Sequence, residues 1–332
     1  MRAVIVNPAS ECGRTALRWR RIVGALDDGG ASFEVELTSG PGDAISLTRK
    51  LIADGASEIT VLGGDGTVGE VVAGCIRPDG SGMLHDDLVL NVIHQGTGGD
   101  FARGMCIPKD ELGAIRTARE GLPTRIDVGV ARYTAATLVA GTAPVAADLD
   151  ADGQHVRGFA SVANIGMAAD VVERVDGPMK RFGKNGSFAL ATVACLIRNR
   201  PRPVRVVTTE GVDSMMNIVD IDVCNNRFMG GGMLVAPGAR ADDGLFDVIL
   251  ISAARRLKLI RTFPKIYSGR HIHDPLVRVE QSRKITIETA PGDPVQRIVL
   301  DGELTGTTPA TFEVIPAALS IRLPRDGSLH GC

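Results

Sequence analysis

The chain contains 332 residues, of which 44% are hydrophobic and 23% are charged, and its formal net charge is −2. A chain of this length usually forms more than one hydrophobic core, so we expect two domains. The near-zero net charge gives no general attraction to nucleic acid or to an anionic membrane, so we expect no nucleic-acid partner and only local membrane contacts. The first apolar run is too short for a signal peptide, and no run approaches the ~20 apolar residues of a spanning helix. We therefore expect a cytoplasmic protein.

The first 127 residues alternate predicted strands with predicted helices. In chain order, the apolar patterns predict a strand, a helix, a strand, a helix and two strands, at residues 2–7, 15–26, 33–38, 42–53, 59–62 and 88–93. This order is typical of a parallel sheet with helices on its faces. Because ligands gather at the carboxyl ends of such strands, the loops at 7–10, 63–67 and 94–100 should form one shared site.

After Asp127 the pattern changes to closely spaced strands. We predict them at residues 128–133, 158–164, 204–208, 218–225, 246–251, 285–289 and 298–300. Two helical segments interrupt them, near residues 187–199 and 253–267, and the composition of residues 135–154 indicates an exposed insertion. These features predict a mostly antiparallel β domain.

One loop carries the strongest chemical signal. It follows the apolar run 59–62 and consists of Gly63, Gly64, Asp65, Gly66 and Thr67. Valines at helical spacing come next, so the glycines stand where a strand passes into a helix, and backbone N–H groups can receive a phosphate there. A carboxylate beside a phosphate needs a metal, a hydrogen-bond donor or a substrate hydroxyl. The loop therefore indicates phosphoryl transfer.

Six blocks of the chain, in order, resemble the diacylglycerol kinase catalytic family, the bacterial lipid kinases related to sphingosine and ceramide kinases. The loop at 63–67 matches its GGDGT motif, which NAD kinases and phosphofructokinases share, and residues 94–103 resemble its GTGNDFAR segment. The other blocks are Asn7-Pro8-x-Ser10, residues 223–233 (VCNNRFMGGGM, against VCNGxxxGGGM), residues 236–245 (APGARADDGL) and Asp301-Gly302-Glu303. The resemblance covers nearly the whole chain.

The resemblance implies a fold of two domains with the active site in the cleft between them. An α/β nucleotide-binding domain, with a parallel sheet like that of phosphofructokinase and NAD kinase, would span residues 1–127 and include the C-terminal segment from about 319 to 332. A mostly antiparallel β-sandwich domain that binds lipid would span residues 128–318. Relatives are often dimers, so a homodimer is suggested by analogy alone, and the sequence leaves the oligomeric state open.

The resemblance also implies the ligands and their residues. ATP would be the phosphate donor. Asp243 and the backbone carbonyls of Arg240 and Leu245 would hold a structural Mg²⁺, and a catalytic Mg²⁺ would arrive with ATP. The residues implied in nucleotide binding are Asn7, Ser10, Thr38, Gly63, Gly64, Asp65, Gly66, Thr67, Gly96, Thr97 and Asp100.

Three carboxylates are candidates for the base that activates the lipid hydroxyl. Asp301 and Glu303 follow a predicted strand, and residues i and i+2 of an extended chain point to the same side. The resemblance favours Glu303 as the proton acceptor. Asp65 competes with it, and the sequence leaves the choice among the three open.

The chain departs from the family pattern at two kinds of position. Gly69 and Gly99 stand where the family has Asn, which suggests an altered nucleotide pocket or replacement of two side-chain amides by water. The first loop continues with Glu11, Cys12 and Gly13, so it lacks the basic residue that would contact a phosphate.

Two segments are candidates for membrane contact. Residues 255–261 form a basic amphipathic pattern, with Leu257 and Ile260 on one face. The apolar stretch 188–197 precedes Arg198 and Arg200. For both segments the alternative is a helix that packs on the core.

The leading hypothesis is an ATP-dependent lipid kinase, peripheral to the inner face of the membrane, that phosphorylates a hydroxyl of a diacylglycerol or of a ceramide or sphingoid lipid. A soluble-substrate kinase of the NAD kinase type is one alternative, although the block at 223–233 is foreign to that family. A lipid- or nucleotide-binding regulator with impaired catalysis is the other, and the glycines at 69 and 99 motivate it.

Overall fold

The computed structural model describes residues 1–27, 33–96, 98–135, 148–176, 184–198, 200, 202–290 and 292–325. The first part of the chain alternates strands and helices. In chain order these are β1 (Arg2–Val6), α1 (Thr15–Leu26), β2 (Phe33–Leu37), α2 (Asp43–Ala53), β3 (Glu58–Gly63), α3 (Asp65–Cys75), β4 (Val89–His94), α4 (Asp100–Gly104), α5 (Glu111–Glu120) and β5 (Leu122–Ala135). A 3₁₀ turn at Ser10–Gly13 precedes α1.

Strands β2, β1, β3 and β4 pair in that order and all run parallel. The apolar residues of β3 are buried, as is usual when helices cover both faces of a parallel sheet. The register pairs Val6 with Leu62 and Leu62 with Ile93, so the carboxyl ends of β1, β3 and β4 lie along one edge. The predicted α/β domain is therefore present, and its loops meet at that edge.

The second part of the chain is built mainly of strands. Its elements are β6 (Asp148–Leu149), β7 (His155–Phe159), β8 (Val162–Gly166), α6 (Met167–Asp176), α7 (Lys184–Arg198), β9 (Arg202–Thr208), β10 (Asp213–Cys224), β11 (Phe228–Met229), β12 (Met233–Leu234), β13 (Phe246–Ser252), α8 (Arg256–Thr262), β14 (Val277–Ser282), β15 (Lys284–Glu288), β16 (Arg297–Leu300) and β17 (Glu303–Leu323). Two 3₁₀ turns, Phe263–Ser268 and Arg270–His273, follow α8.

These strands pair antiparallel in two layers. One layer has the order β14, β13, β10, β8 and β16, and the other joins β9, β15, β17, β5 and β7. The two layers are hydrogen-bonded to each other, because β9 also pairs with β10 and β16 with β17. Apolar side chains of both layers share one core. In it Phe159 stacks on Phe246 with ring centroids 5.6 Å apart, and Phe312 packs edge-on against Phe159. The expected antiparallel β-sandwich is thus observed.

Two long strands run through both parts of the molecule. Strands β5 and β17 pair antiparallel from Leu122 and Leu323 at one end to Ala135 and Gly306 at the other. Near its end, β17 also pairs in parallel with β4. The second part is therefore joined to the first sheet by a long backbone ladder with two register shifts, which fixes the loops of the two parts relative to one another.

The structure differs from the predicted elements at several places. Residues 158–164 are not one strand, because a turn separates β7 from β8. Helices α4, α5 and α6, strands β14 and β17 and the short strands β6, β11 and β12 were not predicted. Pro309 and Pro316, at the two register shifts of β17, hide its strand pattern. The predicted helix at 253–267 is the short α8 followed by a 3₁₀ turn. Most of the predicted insertion at 135–154 lies outside the described residues.

Candidate active site

The glycine loop and the first loop meet at the carboxyl ends of β1 and β3. Strand β3 ends at Gly63 and α3 begins at Asp65, so the strand passes into the helix within two residues. A Cβ atom on Gly63 would lie 2.6 Å from Thr67 Cβ, so only glycine fits there. The Asn7 side-chain amide donates to Thr67 Oγ1 at 2.9 Å. This contact holds Thr67 beside the N–H groups at the start of α3, where a phosphate can bind.

Ser10 and Thr38 lie at the same edge of the sheet. The Ser10 hydroxyl donates to the Asn7 carbonyl at 2.7 Å and contacts the Thr15 hydroxyl at 2.6 Å. Thr38 is buried directly after β2, and its N–H donates to the Val6 carbonyl at 2.9 Å. The Ser10 hydroxyl therefore bonds within the first loop, whose shape it maintains.

Asp65 ties the glycine loop to the loop that follows β4. Its Oδ2 accepts a hydrogen bond from the Gly99 N–H at 2.8 Å, and its Oδ1 accepts one from the Phe101 N–H at 3.1 Å. Both donors lie at the N-terminal end of α4, so the carboxylate caps this helix. Gly99 has a φ of +69°, a conformation that glycine and asparagine adopt most readily.

The two loops are also in direct backbone contact. A Cβ atom on Gly96 would lie 3.1 Å from Gly64 Cα, so a side chain at Gly96 would press on the glycine loop. Thr97, which the sequence analysis places in the nucleotide site, lies outside the described residues.

Asp100 joins the first part of the chain to the second. It is buried, and its carboxylate accepts a hydrogen bond from the Gly231 N–H at 2.6 Å and pairs with Arg103 Nη1 at 2.5 Å. Burial raises the pKa of Asp100, and the two donors oppose that shift. Through this contact the glycine-rich stretch after β11 packs on α4.

A cavity of about 380 Å³ opens beside these loops, a size typical of small-molecule sites. Three cations in its wall were not predicted as site residues: Arg18 on α1, Arg103 on α4 and Lys109. Arg18 pairs with Glu11 of the first loop at 3.2 Å and Arg103 pairs with Asp100, so these cations share the cavity with carboxylates. Only Arg103 lies in a block that resembles the family. The full lining is Glu11, Arg18, His94, Gln95, Gly96, Gly98, Gly99, Arg103, Lys109, Glu111 and Gly231.

Asp301 holds the turn between β7 and β8. Its carboxylate accepts hydrogen bonds from the N–H groups of Ala160, Ser161 and Val162 at 2.7, 2.8 and 3.1 Å. The break in the predicted strand 158–164 therefore exists because three consecutive N–H groups turn toward one carboxylate. Burial raises the pKa of Asp301 to about 6, although the three donors and the charge of Arg157 oppose that shift.

Glu303 lies between the sandwich and the glycine loop. Its Oε2 accepts a hydrogen bond from Arg157 Nη2 at 2.6 Å. Its Oε1 is 3.4 Å from the position of a Cβ atom on Gly66, and it accepts no hydrogen bond from any residue the structure describes. Of the three candidate bases, Asp65 and Asp301 use both oxygens to accept backbone N–H groups, whereas Glu303 keeps one oxygen free beside the start of α3.

Arg157 was not predicted as a site residue, although its place in the strand pattern indicated a buried charge. Residues of a strand alternate between its two faces, so Arg157 shares a face with Phe159 of the sandwich core. A charged residue at such a position needs a charged partner.

The segment implied in magnesium binding lies at the start of β13. The Leu245 N–H donates to Asp243 Oδ1 at 3.1 Å, and Asp127 accepts from the Gly244 N–H at 2.7 Å. Asp247 is buried, and its Oδ2 has no hydrogen-bond partner among the described residues. Oxygen donors of this kind suit a hard cation. The described ranges contain no group of three or more His, Cys, Asp or Glu side chains that could hold a metal, so a cation here would need backbone carbonyls and water.

Comparison with known proteins agrees with this architecture. Residues 2–131 match the family model of the diacylglycerol kinase catalytic domain, and residues 160–323 match that of the YegS C-terminal NAD kinase beta sandwich-like domain. A diacylglycerol kinase of Mycobacterium tuberculosis (strain ATCC 25618 / H37Rv) is 28% identical over 328 residues, which cover 97% of this chain and 95% of the relative. A probable lipid kinase YegS-like of Chromohalobacter salexigens is 24% identical over 310 residues, 93% of this chain and 90% of the relative.

A solved structure shows the same fold. The crystal structure of a diacylglycerol kinase from Bacillus anthracis str. Sterne superposes with a TM-score of 0.67 at 20% identity, covering 97% of this chain and 96% of the other. The fold and the two family models agree on an α/β domain that is followed by a β-sandwich domain. The chain belongs to the diacylglycerol kinase catalytic-domain family, with the YegS-type β-sandwich as its second domain.

Proposed function

We propose that the protein is an ATP-dependent lipid kinase, which transfers the γ-phosphate of ATP to a hydroxyl of a diacylglycerol, ceramide or sphingoid lipid. The observation that carries this proposal is the position of Glu303, whose Oε1 lies beside Gly66 at the start of α3. A proton acceptor there is within reach of a hydroxyl that approaches a phosphate held by the glycine loop. The names of the curated relatives support a lipid as the acceptor.

The transfer would use the residues of the cleft in distinct roles. N–H groups at the start of α3 would hold the terminal phosphates, and Arg18, Arg103 and Lys109 would offset their charge. The lipid hydroxyl oxygen would attack the γ-phosphorus while its proton passes to Glu303 Oε1. The bond from the γ-phosphorus to the oxygen of ADP would break. Magnesium bound to ATP would supply further charge neutralisation.

Other acidic residues have supporting roles in this proposal. Asp65 would keep α4 in place, and Asp301 would keep the turn between β7 and β8 against α3. A structural Mg²⁺ would be held by Asp243 with the backbone carbonyls of Arg240 and Leu245.

A docking face for the membrane would bring the lipid to the cleft. We define it as Leu190, Val193 and Ile197 on α7 with Leu257 on α8, two helices that pack together. These side chains are between 37% and 60% exposed. The cations near it in the sequence are Arg198, Arg200, Arg255, Arg256, Lys258 and Arg261, and residues 184–202 and 253–273 contain no Asp or Glu.

An apolar face with such cations suits an anionic membrane, where each cation contributes about 1 kcal/mol. No helix in the described part of the chain is long and apolar enough to span a bilayer. The apolar face and its cations lead us to propose peripheral binding at the inner face of the membrane.

Phosphate transfer from radiolabelled ATP in mixed micelles with Mg²⁺ tests the proposal. The acceptors are diacylglycerol, ceramide, sphingosine and monoacylglycerol, with NAD as the soluble control. Transfer to one lipid and not to NAD is the expected result. Transfer to NAD alone would support a kinase of the NAD kinase type, and binding of ATP and lipid without any transfer would support a regulator.

A further inference from the structure

Arg157 is a buried cation whose charge partner is the candidate base. Its side chain is 3% exposed, and its Nη2 donates to Glu303 Oε2 at 2.6 Å. Within the described residues this is its one ion pair, and its Nε and Nη1 have no hydrogen-bond partner. Among the described residues, Glu303 is therefore the one carboxylate that accepts a hydrogen bond from Arg157, although the charge of Arg157 also acts on Asp301 and Glu70.

Stability of the fold does not explain this pair. Removing a guanidinium from water carries a large desolvation cost, and replacing a buried ion pair by apolar side chains is often neutral or stabilising. The Glu303 side chain is 27% exposed, so it could turn toward water if nothing held it. Because a buried cation without a partner is unfavourable, the hydrogen bond from Arg157 keeps the Glu303 carboxylate turned inward.

We propose that Arg157 is a positioning residue for phosphoryl transfer, which fixes Glu303 through Oε2 and leaves Oε1 facing Gly66 and the glycine loop. This inference rests on the proposed function, because it requires Glu303 to be the base. Arginine suits the role because its charge persists at every working pH and its rigid, planar guanidinium directs the Nη2–H group at Glu303 Oε2.

A double-mutant cycle with Arg157→Met and Glu303→Gln tests this role, with diacylglycerol in mixed micelles as acceptor or whichever lipid the panel identifies. Arg157→Met should lower kcat by about tenfold or more and leave the KM for ATP within about twofold, since a displaced base costs turnover and not nucleotide binding. In the Glu303→Gln background the same change should cost less than about twofold, because no base remains to be positioned. Arg157→Lys keeps the charge without the planar guanidinium, so its kcat should lie between those of Arg157→Met and the wild type.

An equal loss of kcat from Arg157→Met in both backgrounds would show a purely structural role and would overturn the inference, as would a matching rise in the KM for ATP. If Arg157→Met does not fold, Arg157→Lys takes its place in the cycle, and a loss confined to the Glu303 background supports the inference. Failure of the proposed function is separate and visible: the wild-type protein would transfer no phosphate to lipid, or Glu303→Gln would keep wild-type turnover.

Discussion

A Cβ atom on Gly69 would lie 2.8 Å from Asp301 Oδ2, so glycine at this position of α3 allows the Asp301 carboxylate to rest against the helix. The family that the chain resembles has Asn at this position. Here the carboxylate fills the space where that side chain would begin. The departure from the family is thus matched by a close contact between the two domains.

Gly69→Ala should therefore damage the site. Ala normally stabilises a helix interior relative to Gly, but here the new methyl group would push Asp301 away from α3 and disturb the turn it holds. We expect a loss of unfolding free energy of about 1–3 kcal/mol, from overpacking, together with a fall in turnover. Urea unfolding and the lipid phosphorylation assay measure the two effects.

Gly24→Ala is the matched control for this prediction. Gly24 also lies inside a helix, but a Cβ atom there would meet no atom within 4 Å. This change should stabilise the protein by about 0.5–1 kcal/mol and leave turnover unchanged. If Gly69→Ala, like Gly24→Ala, raised the unfolding free energy and left turnover unchanged, the contact between α3 and Asp301 would matter neither for stability nor for catalysis.

Asp65→Asn should impair nucleotide binding while the protein stays folded. The Asp65 carboxylate caps α4 through two N–H groups, and α4 and the loop before it line the cavity. An amide can accept at only one of its two positions, so the loop should loosen and the KM for ATP should rise by about tenfold. Asp43→Asn, which alters a carboxylate bonded to Ser39 at the start of α2, is the control. A rise of similar size in both variants would remove the special role of Asp65.

Asp222 provides a test of pH dependence that is independent of catalysis. Burial raises its pKa to about 6, from about 3.9 in an unfolded chain. The folded state therefore binds a proton at Asp222 more tightly than the unfolded chain does. Protonated Asp222 stabilises the fold below about pH 4, and this stabilisation is lost as the pH rises through about 6. Asp222→Asn does not titrate and can still accept the hydrogen bond from Asn164.

The difference between the melting temperatures of the two proteins, Asp222→Asn minus wild type, should thus increase between pH 4 and pH 7 and then level off. Burial, and secondly the charge of Asp222, raises the pKa of the neighbouring Asp220, so Asp222→Asn also relieves part of that shift and changes the pH dependence in the same direction. A difference that stayed constant with pH, or one that fell, would contradict the assigned direction.

The docking face predicts membrane binding that depends on two helices. The double variant Val193→Asn with Leu257→Asn should reduce binding to vesicles that contain anionic lipid by at least about fivefold, because apolar side chains would no longer enter the interface. Leu17→Asn is the control, since Leu17 is 87% exposed but lies on α1. Co-sedimentation measures binding, and equal losses for both variants would argue against this face.

The local chain pattern predicted most elements of the first domain, although not α4 and α5. Helix α1 was predicted with its observed ends, and β1, β3 and β4 to within a residue, because apolar runs between turn residues give strong local signals. The β-sandwich was less predictable. Strand β17 contains two prolines, and the break between β7 and β8 depends on Asp301, which is 140 residues away in sequence. Local patterns carry no information about such a contact.

The sequence predicted the motifs of the site but not the hydrogen bonds and ion pairs between them. Asp65, Asp301 and Glu303 were all proposed from the sequence as candidate bases, and only their hydrogen bonds distinguish them. Asp65 and Asp301 accept backbone N–H groups with both oxygens, whereas Glu303 has one free oxygen. The cations Arg18 and Lys109 belong to no motif and reach the cavity through folding alone.

The most direct test of the account is the turnover of Glu303→Gln, measured with saturating ATP and lipid, alongside its ATP dissociation constant from calorimetry. If Glu303 is the base, turnover should fall by about 10² or more while ATP affinity stays within about twofold, since the amide keeps the shape of the side chain but cannot take the proton. A fall in turnover of less than about tenfold with intact ATP binding would contradict the account and move the role of base to Asp301 or Asp65.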